Sequence, residues 1–135
     1  MRSGKWEKAR ILLVDDDGPI RSSMGIFFEA EGCEFLGVGS AEKALEEVGR
    51  QNYDVIIADY RLPGMDGLEF LRTIRETHPQ TKKIFTTAYA GRELFSEARQ
   101  MGVSGCIEKP LTVEKIERLL SQWSGKDYVC EWEQT

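Results

Sequence analysis

Short apolar runs alternate with amphipathic stretches along the chain. Ile11-Leu12-Leu13-Val14 is unbroken and followed by aspartates, and Val55-Ile56-Ile57-Ala58 is a second such run that ends at Asp59. Runs of this length without polar alternation predict strands buried on both faces, the habit of parallel sheets. Three weaker strands fit the same rhythm at residues 34–38, 83–87 and 104–108. Helical spacing fills the intervals. Ile20, Met24, Phe27 and Phe28 predict a helix over 19–31 that Gly32 ends. Ser40 is the expected N-cap of a helix over 41–51, with Ala44, Leu45 and Val48 inward and Lys43–Glu47 as an exposed pair. Leu68, Leu71 and Ile74 mark a helix over 67–78 that stops before Pro79. Leu94, Phe95 and Ala98 mark one over 92–101, with Gly102 beyond it. Thr112 caps the last, over 112–123, which buries Val113, Ile116, Leu119 and Leu120 and closes at Gly125. These are five βα units with no internal repeat and no linker. Right-handed crossovers assemble such units into an open parallel sheet with helices on both faces, an α/β doubly wound fold. Ligands of that architecture sit outside the carboxyl ends of the strands.

Composition narrows the function classes. The 135 residues fit one domain, since single domains cluster at roughly 100–150 residues. A net charge of −5 argues against sequence-blind nucleic-acid binding, which needs phosphate-neutralising Lys and Arg. Cys33, Cys106 and Cys130 show no CxxC spacing, and His78 is the single histidine, so neither a disulfide framework nor a zinc site is expected. The apolar runs are far shorter than the ~20 residues of a membrane span or the ~7 of a secretory signal core. A cytoplasmic protein with no membrane partner is expected.

Chemistry collects at the strand ends. The first strand ends in Asp15-Asp16-Asp17, the third in Asp59, the fourth in Thr86-Thr87 and the fifth in Glu108-Lys109-Pro110. Taken singly, these are ordinary: a solvated acidic turn, an Asx-turn initiator, a β-branched strand residue, a loop whose proline suits a cis bond. All four at carboxyl ends of separate strands are not. Gathered carboxylates call for a cation, and Mg²⁺ is the hard ion that one or two carboxylates plus phosphate oxygens hold. A lysine and a hydroxyl beside them suit the oxygens of a phosphoryl group, and a carboxylate can itself be the nucleophile. The residues therefore point to Mg²⁺-dependent phosphoryl transfer onto an aspartate. Other readings fit less well. A haloacid-dehalogenase-type phosphatase needs a second Asp where Arg61 stands. The P-loop pattern is absent. Gly37-Val38-Gly39 lacks the third glycine of a dinucleotide loop and follows the wrong strand. A flavodoxin would need a phosphate cradle where three aspartates stand.

The sequence resembles the receiver domain of two-component response regulators, of chemotaxis-regulator-like type. The matching stretches are Ile11-Leu12-Leu13-Val14-Asp15-Asp16-Asp17, then Val55 through Asp59-Tyr60-Arg61-Leu62-Pro63-Gly64-Met65-Asp66-Gly67, then Thr87-Ala88 and Lys109-Pro110. The resemblance covers about residues 9–123. It implies a flavodoxin-like five-stranded sheet of order 2-1-3-4-5, with a receiver domain over 9–124. The residues that remain suggest a short tail over 125–135 and no output domain, so either a stand-alone receiver or a receiver excised from a longer chain is expected. It implies that Asp59 is the phospho-acceptor. Asp16 and Asp59 would bind Mg²⁺ together with the backbone carbonyl of Arg61, and Asp15 would act mostly through a metal-bound water. Lys109 would pair with a phosphoryl oxygen, Thr87 would be the switch hydroxyl, and the small Ala88 would leave the phosphoryl group accessible. Asp17 matches an acidic position that is not a ligand, and Pro63, Gly64 and Gly67 shape the loop into the third helix. Such a domain is not an enzyme in the usual sense: it catalyses only its own phosphorylation and dephosphorylation. Its partners would be a sensor histidine kinase or phosphotransfer protein, and a downstream protein target or its own dimer. An unphosphorylated pseudo-receiver, a pure interaction module, is the alternative.

Departures from the family pattern are also informative. The usual aromatic in the middle of the fifth strand, coupled to the switch Thr, is Cys106 here, and a thiol lacks that bulky two-position swing. Arg61 and Tyr89, each two residues past Asp59 or Thr87, should hang over the pocket and tune the lifetime of the phosphoryl group. In the tail, Tyr128 and Trp132 are four apart, which suits one face of a short helix as an alternative to a frayed end.

Overall fold

The computed structural model describes residues 7–88, 91–121 and 129–130. Strands and helices alternate: β1 Arg10–Val14, α1 Gly18–Ala30, β2 Glu34–Val38, α2 Ala41–Arg50, β3 Val55–Asp59, α3 Gly67–Ile74, β4 Lys82–Thr87, α4 Arg92–Gln100, β5 Gly105–Glu108, α5 Val113–Ser121 and β6 Val129–Cys130. The sheet has the order β2-β1-β3-β4-β5-β6, with every pair parallel. The five-stranded order 2-1-3-4-5 expected from the sequence is present, and a sixth short strand extends it.

Strand alternation divides the core in two. Leu12, Val14, Ile56, Ala58, Phe85 and Cys106 pack on one face with residues of α2, α3 and α4. Ile11, Leu13, Val55, Ile57, Ile84 and Ile107 pack on the other with α1 and α5. This double burial is why β1 and β3 carry no polar alternation. The helix caps follow the sequence. The Asp17 carboxylate accepts from the Ile20 amide at 3.3 Å, Ser40 Oγ from the Lys43 amide at 3.2 Å, Asp66 from the Glu69 amide at 2.8 Å, and Thr112 Oγ1 from the Lys115 amide at 3.2 Å. Gly32, just past the end of α1, takes the left-handed φ of 86° that its missing Cβ allows.

Element ends shift by a few residues. α3 stops at Ile74, whose carbonyl accepts from the His78 amide at 2.9 Å and from the Thr77 hydroxyl at 3.4 Å, while His78 Nε2 meets the Val48 carbonyl at 3.0 Å. Glu47 pairs with Arg50 at 3.2 Å and accepts from the Tyr53 hydroxyl rather than meeting Lys43. The tail contributes β6, whose Val129 and Cys130 align with Gly105 and Cys106. Its described pair is strand rather than helix, because the edge of β5 offers unpaired backbone groups; Tyr128 and Trp132 lie outside the described residues. No helix among the described residues is long and apolar enough to cross a membrane.

Candidate functional site

Register brings the chemistry together. Val14 lies beside Ala58, Asp59 beside Thr86, and Thr87 beside Glu108. The next residue out on β1 is Asp15 and on β5 is Lys109. Three backbone bonds fix these ends: the Asp15 amide to the Val38 carbonyl at 3.0 Å, the Tyr60 amide to the Thr86 carbonyl at 2.8 Å, and the Lys109 amide to the Thr87 carbonyl at 2.7 Å. The peptide bond between Lys109 and Pro110 is cis.

Asp15, Asp16 and Asp59 converge there, each offering a carboxylate oxygen within 4.8 Å of the others. Asp15 and Asp59 are buried and Asp16 is exposed. Asp59 Oδ2 accepts from Lys109 Nζ at 2.7 Å, and Asp59 Oδ1 from the Arg61 amide at 3.3 Å. Asp15 Oδ1 accepts from the Asp17 amide at 3.0 Å. Asp15 Oδ2 is buried with no hydrogen-bond partner, and Lys109 Nζ stands 3.7 Å from it. A buried carboxylate oxygen left in this state costs free energy unless something else occupies the space beside it.

The electrostatics carry the same message. Burial pushes the Asp15 carboxyl above its ordinary value; the Asp17 amide and Lys109 pull it back in part, and the charges of Asp59 and Asp16 add to the rise. Burial alone would lower the Lys109 ammonium, but the hydrogen bond to Asp59 and the charges of Asp15, Asp59 and Asp16 outweigh it and raise it. Three carboxylates and one ammonium leave an excess of negative charge in a partly dry pocket. Oxygen donors in this arrangement fit a hard divalent cation such as Mg²⁺.

The remaining sequence-derived positions are distributed around this centre. Thr87 and Cys106 are buried, and Ala88 is exposed. Arg61 is exposed and lines an open groove of about 580 Å³ with Asp16, Tyr60, Leu62, Pro63 and Asp66. Tyr89 lies outside the described residues.

Three features were not visible in the sequence. Gly67 presses so close to β3 that a Cβ there would meet the Asp59 carbonyl oxygen at 2.0 Å. Glu42 of α2 reaches across to accept from the Met65 amide at 3.3 Å, steadying the loop after Asp59. Arg21 of α1 donates to the Asp15 carbonyl at 2.6 Å. None of the three leaves a local pattern, because each contact joins elements distant in sequence or separated by a helical turn.

Comparison with known proteins agrees with this geometry. The family model for the response regulator receiver domain matches residues 11–121. A probable chemotaxis protein CheY of Rhizobium etli is 33% identical over 123 residues, 88% of this chain and 95% of that protein. The response regulator FleR of Pseudomonas aeruginosa is 32% identical over 114 residues, 84% of this chain, but the match spans only 24% of FleR's length. Among solved structures, the Vibrio cholerae chemotaxis protein CheY4 superposes with a TM-score of 0.79 at 28% identity, covering 84% of this chain and 97% of that one. A parallel sheet of order 2-1-3-4-5, an acidic cluster at its carboxyl edge, and a family match over most of the chain lead to one assignment: the chain belongs to the response regulator receiver family, the phospho-acceptor regulatory domains of two-component systems.

Proposed function

We propose that this domain accepts a phosphoryl group on Asp59 from a histidine kinase or phosphotransfer protein and relays the change to a protein partner or a second copy of itself. The observation that carries this reading is the pairing of Asp59, held by Lys109 at 2.7 Å, with the unpartnered buried oxygen of Asp15. An Asp59 carboxylate oxygen attacks the donor phosphorus in line. The P–N bond of a phosphohistidine, or the P–O bond of an acyl phosphate, breaks as the new P–O bond forms, and the donor leaves with the electron pair. Asp15, Asp16, Asp59 and the Arg61 backbone carbonyl would hold Mg²⁺. Bound there, the ion supplies charge neutralisation for the phosphoryl oxygens. Lys109 passes from the carboxylate to a phosphoryl oxygen, which keeps its ammonium paired throughout. Thr87 donates its hydroxyl to the phosphoryl group as the switch, while Cys106, paired with Phe85 two residues before it, takes the buried position on β5 where an aromatic would couple to it. Arg61 and Tyr89, each two residues past Asp59 or Thr87 in sequence, tune the lifetime of the phosphoryl group. The domain also dephosphorylates itself: water attacks the phosphorus, the bond to Asp59 oxygen breaks, and inorganic phosphate leaves as the carboxylate is restored. This chemistry belongs in the cytosol, where such donors are made, and involves no nucleic acid. A pseudo-receiver is disfavoured because Asp15, Asp16, Asp59, Thr87 and Lys109 are all present and share one sheet edge.

The test is phosphorylation by acetyl phosphate, read by intact mass with Mg²⁺ and with excess chelator. The expected result is one phosphoryl group on the wild type with Mg²⁺, and none with chelator or on Asp59→Asn. Undiminished labelling of Asp59→Asn would overturn the assignment.

A further inference from the structure

Arg21 has a placement that the phosphoryl chemistry above does not use. It sits one helical turn into α1, its amide donating to the Asp17 carbonyl at 3.2 Å. The side chain does not run out to solvent. Its stem lies flat on β2, where a Cβ added at Gly37 would come within 3.1 Å of Arg21 Cβ and Cδ. Its guanidinium continues past Gly39, where an added Cβ would stand 3.4 Å from Nη1, and ends with that nitrogen donating to the Asp15 carbonyl at 2.6 Å. The Gly37-Val38-Gly39 segment, too incomplete for a dinucleotide loop, is thus the bed on which this arginine lies.

The bond it makes is informative. With three carboxylates close by, the guanidinium hydrogen-bonds a peptide carbonyl in the turn that carries two of them. That carbonyl belongs to the Asp15–Asp16 peptide. Asp15 is held by three bonds, its amide to the Val38 carbonyl, its carboxylate from the Asp17 amide, and its carbonyl from Arg21, and the last of these is the one on the Asp15–Asp16 peptide itself. Asp16 is exposed, and its carboxylate makes no hydrogen bond among the described residues. With no hydrogen bond of its own, it depends on the backbone to aim its Cα–Cβ bond at the pocket. We infer that Arg21 is a positioning residue: it holds the Asp15–Asp16 peptide so that both carboxylates face the cation pocket, and thereby sets the affinity for Mg²⁺. The inference rests on the reading of that pocket as a Mg²⁺ site.

Charge and position predict opposite signs here. An arginine beside an acidic pocket repels a divalent cation, so removing it for charge reasons alone tightens Mg²⁺ binding. Removing a group that orients metal ligands weakens it, by about 10- to 100-fold in known metal sites. The experiment is calorimetric titration of the full chain with MgCl₂ at fixed ionic strength. The samples are wild type, Arg21→Met, Arg21→Lys and Gly37→Ala, with a thermal melt of each. Arg21→Met keeps a stem on the glycine bed and loses the donor, so its Mg²⁺ dissociation constant should rise about tenfold. Arg21→Lys, which keeps a donor and the charge, should recover part of the loss, which a general packing defect would not do. Gly37→Ala crowds the stem and should weaken binding in the same direction, and it decides the question if Arg21→Met does not fold. Unchanged or tighter Mg²⁺ binding in the folded variants overturns the positioning role while leaving the pocket assignment intact. A wild type that binds no Mg²⁺ overturns both.

Discussion

Gly67 offers the sharpest test of how closely the α3 entry is fitted to the acceptor strand. It is the first residue of α3, and its amide donates to the Tyr60 carbonyl at 2.9 Å. An alanine Cβ at this position would lie 2.0 Å from the Asp59 carbonyl oxygen and 2.8 Å from the Asp59 carbonyl carbon. Both are backbone atoms, which cannot swing aside as a side-chain tip can. Restoring ordinary contact near 3.4 Å requires the two segments to part by about 1.4 Å. Helix propensity alone favours Gly67→Ala by up to about 1 kcal/mol. Against this stand overpacking, about 1–3 kcal/mol, and the weakened bond to Tyr60, about 0.5–1.5 kcal/mol. The balance is a loss of about 0.5–3.5 kcal/mol, or roughly 2–14 °C in Tm for a chain of this length. The displacement falls on the residue whose carboxylate meets Lys109 at 2.7 Å. A misplacement of about 1 Å at a reacting group costs on the order of 100-fold in rate, so phosphorylation by acetyl phosphate should fall by about 10- to 100-fold. Thermal melts and intact-mass time courses measure the two effects. Gly49→Ala is the control: Gly49 lies in α2, and a Cβ there meets nothing within 4 Å, so it should gain a few tenths to about 1 kcal/mol from propensity and leave the rate unchanged. A Gly67→Ala protein that melts at or above the wild-type temperature and phosphorylates normally would refute the steric argument.

Two further outcomes follow from groups away from the pocket. Lys83 is buried, its ammonium donating to the His78 carbonyl at 2.6 Å and the Thr81 carbonyl at 3.0 Å, and burial holds it below its ordinary value of 10.5. Relative to the unfolded chain, folding therefore disfavours the charged ammonium. The corresponding stability is complete above the unfolded pKa and is lost as pH falls through the lowered folded value. Lys83→Met should reduce the gain in unfolding free energy between about pH 8 and pH 11 in urea titrations, and equal gains in variant and wild type would reject the linkage. Truncation after Ser124 removes β6 from the edge of β5, so amide exchange across Gly105–Glu108 should quicken by mass spectrometry; unchanged exchange would mean that the strand pairing contributes nothing to protection.

What could be read from the sequence, and what could not, divides along a physical line. β1 and β3 were legible because burial on both faces leaves an unbroken apolar run, and the acidic residues were legible because each directly follows or ends such a run. The apolar pattern places Thr86-Thr87 at the end of β4 without distinguishing them; the family resemblance singles out Thr87, and the register puts Thr86 beside Asp59 and Thr87 beside Glu108. The close approach of Gly67 to Asp59 and the course of Arg21 over Gly37 are contacts between elements, and a single sequence carries no local trace of them. β6 is two residues long, too short for any period to register. Cys106 shows how far such a reading reaches. Its place in the middle of β5 followed from the pattern, but its 0% exposure beside Phe85, Ala98 and Val103 did not. That burial changes what the position can do. A side chain enclosed by close-packed neighbours has no outward rotamer of comparable energy, and a thiol has little bulk to move. A shift of the Thr87 hydroxyl toward a phosphoryl group would then be taken up at the end of β4 and its links to β5, the hydrogen bond from the Lys109 amide to the Thr87 carbonyl at 2.7 Å among them, rather than by a swinging ring on β5.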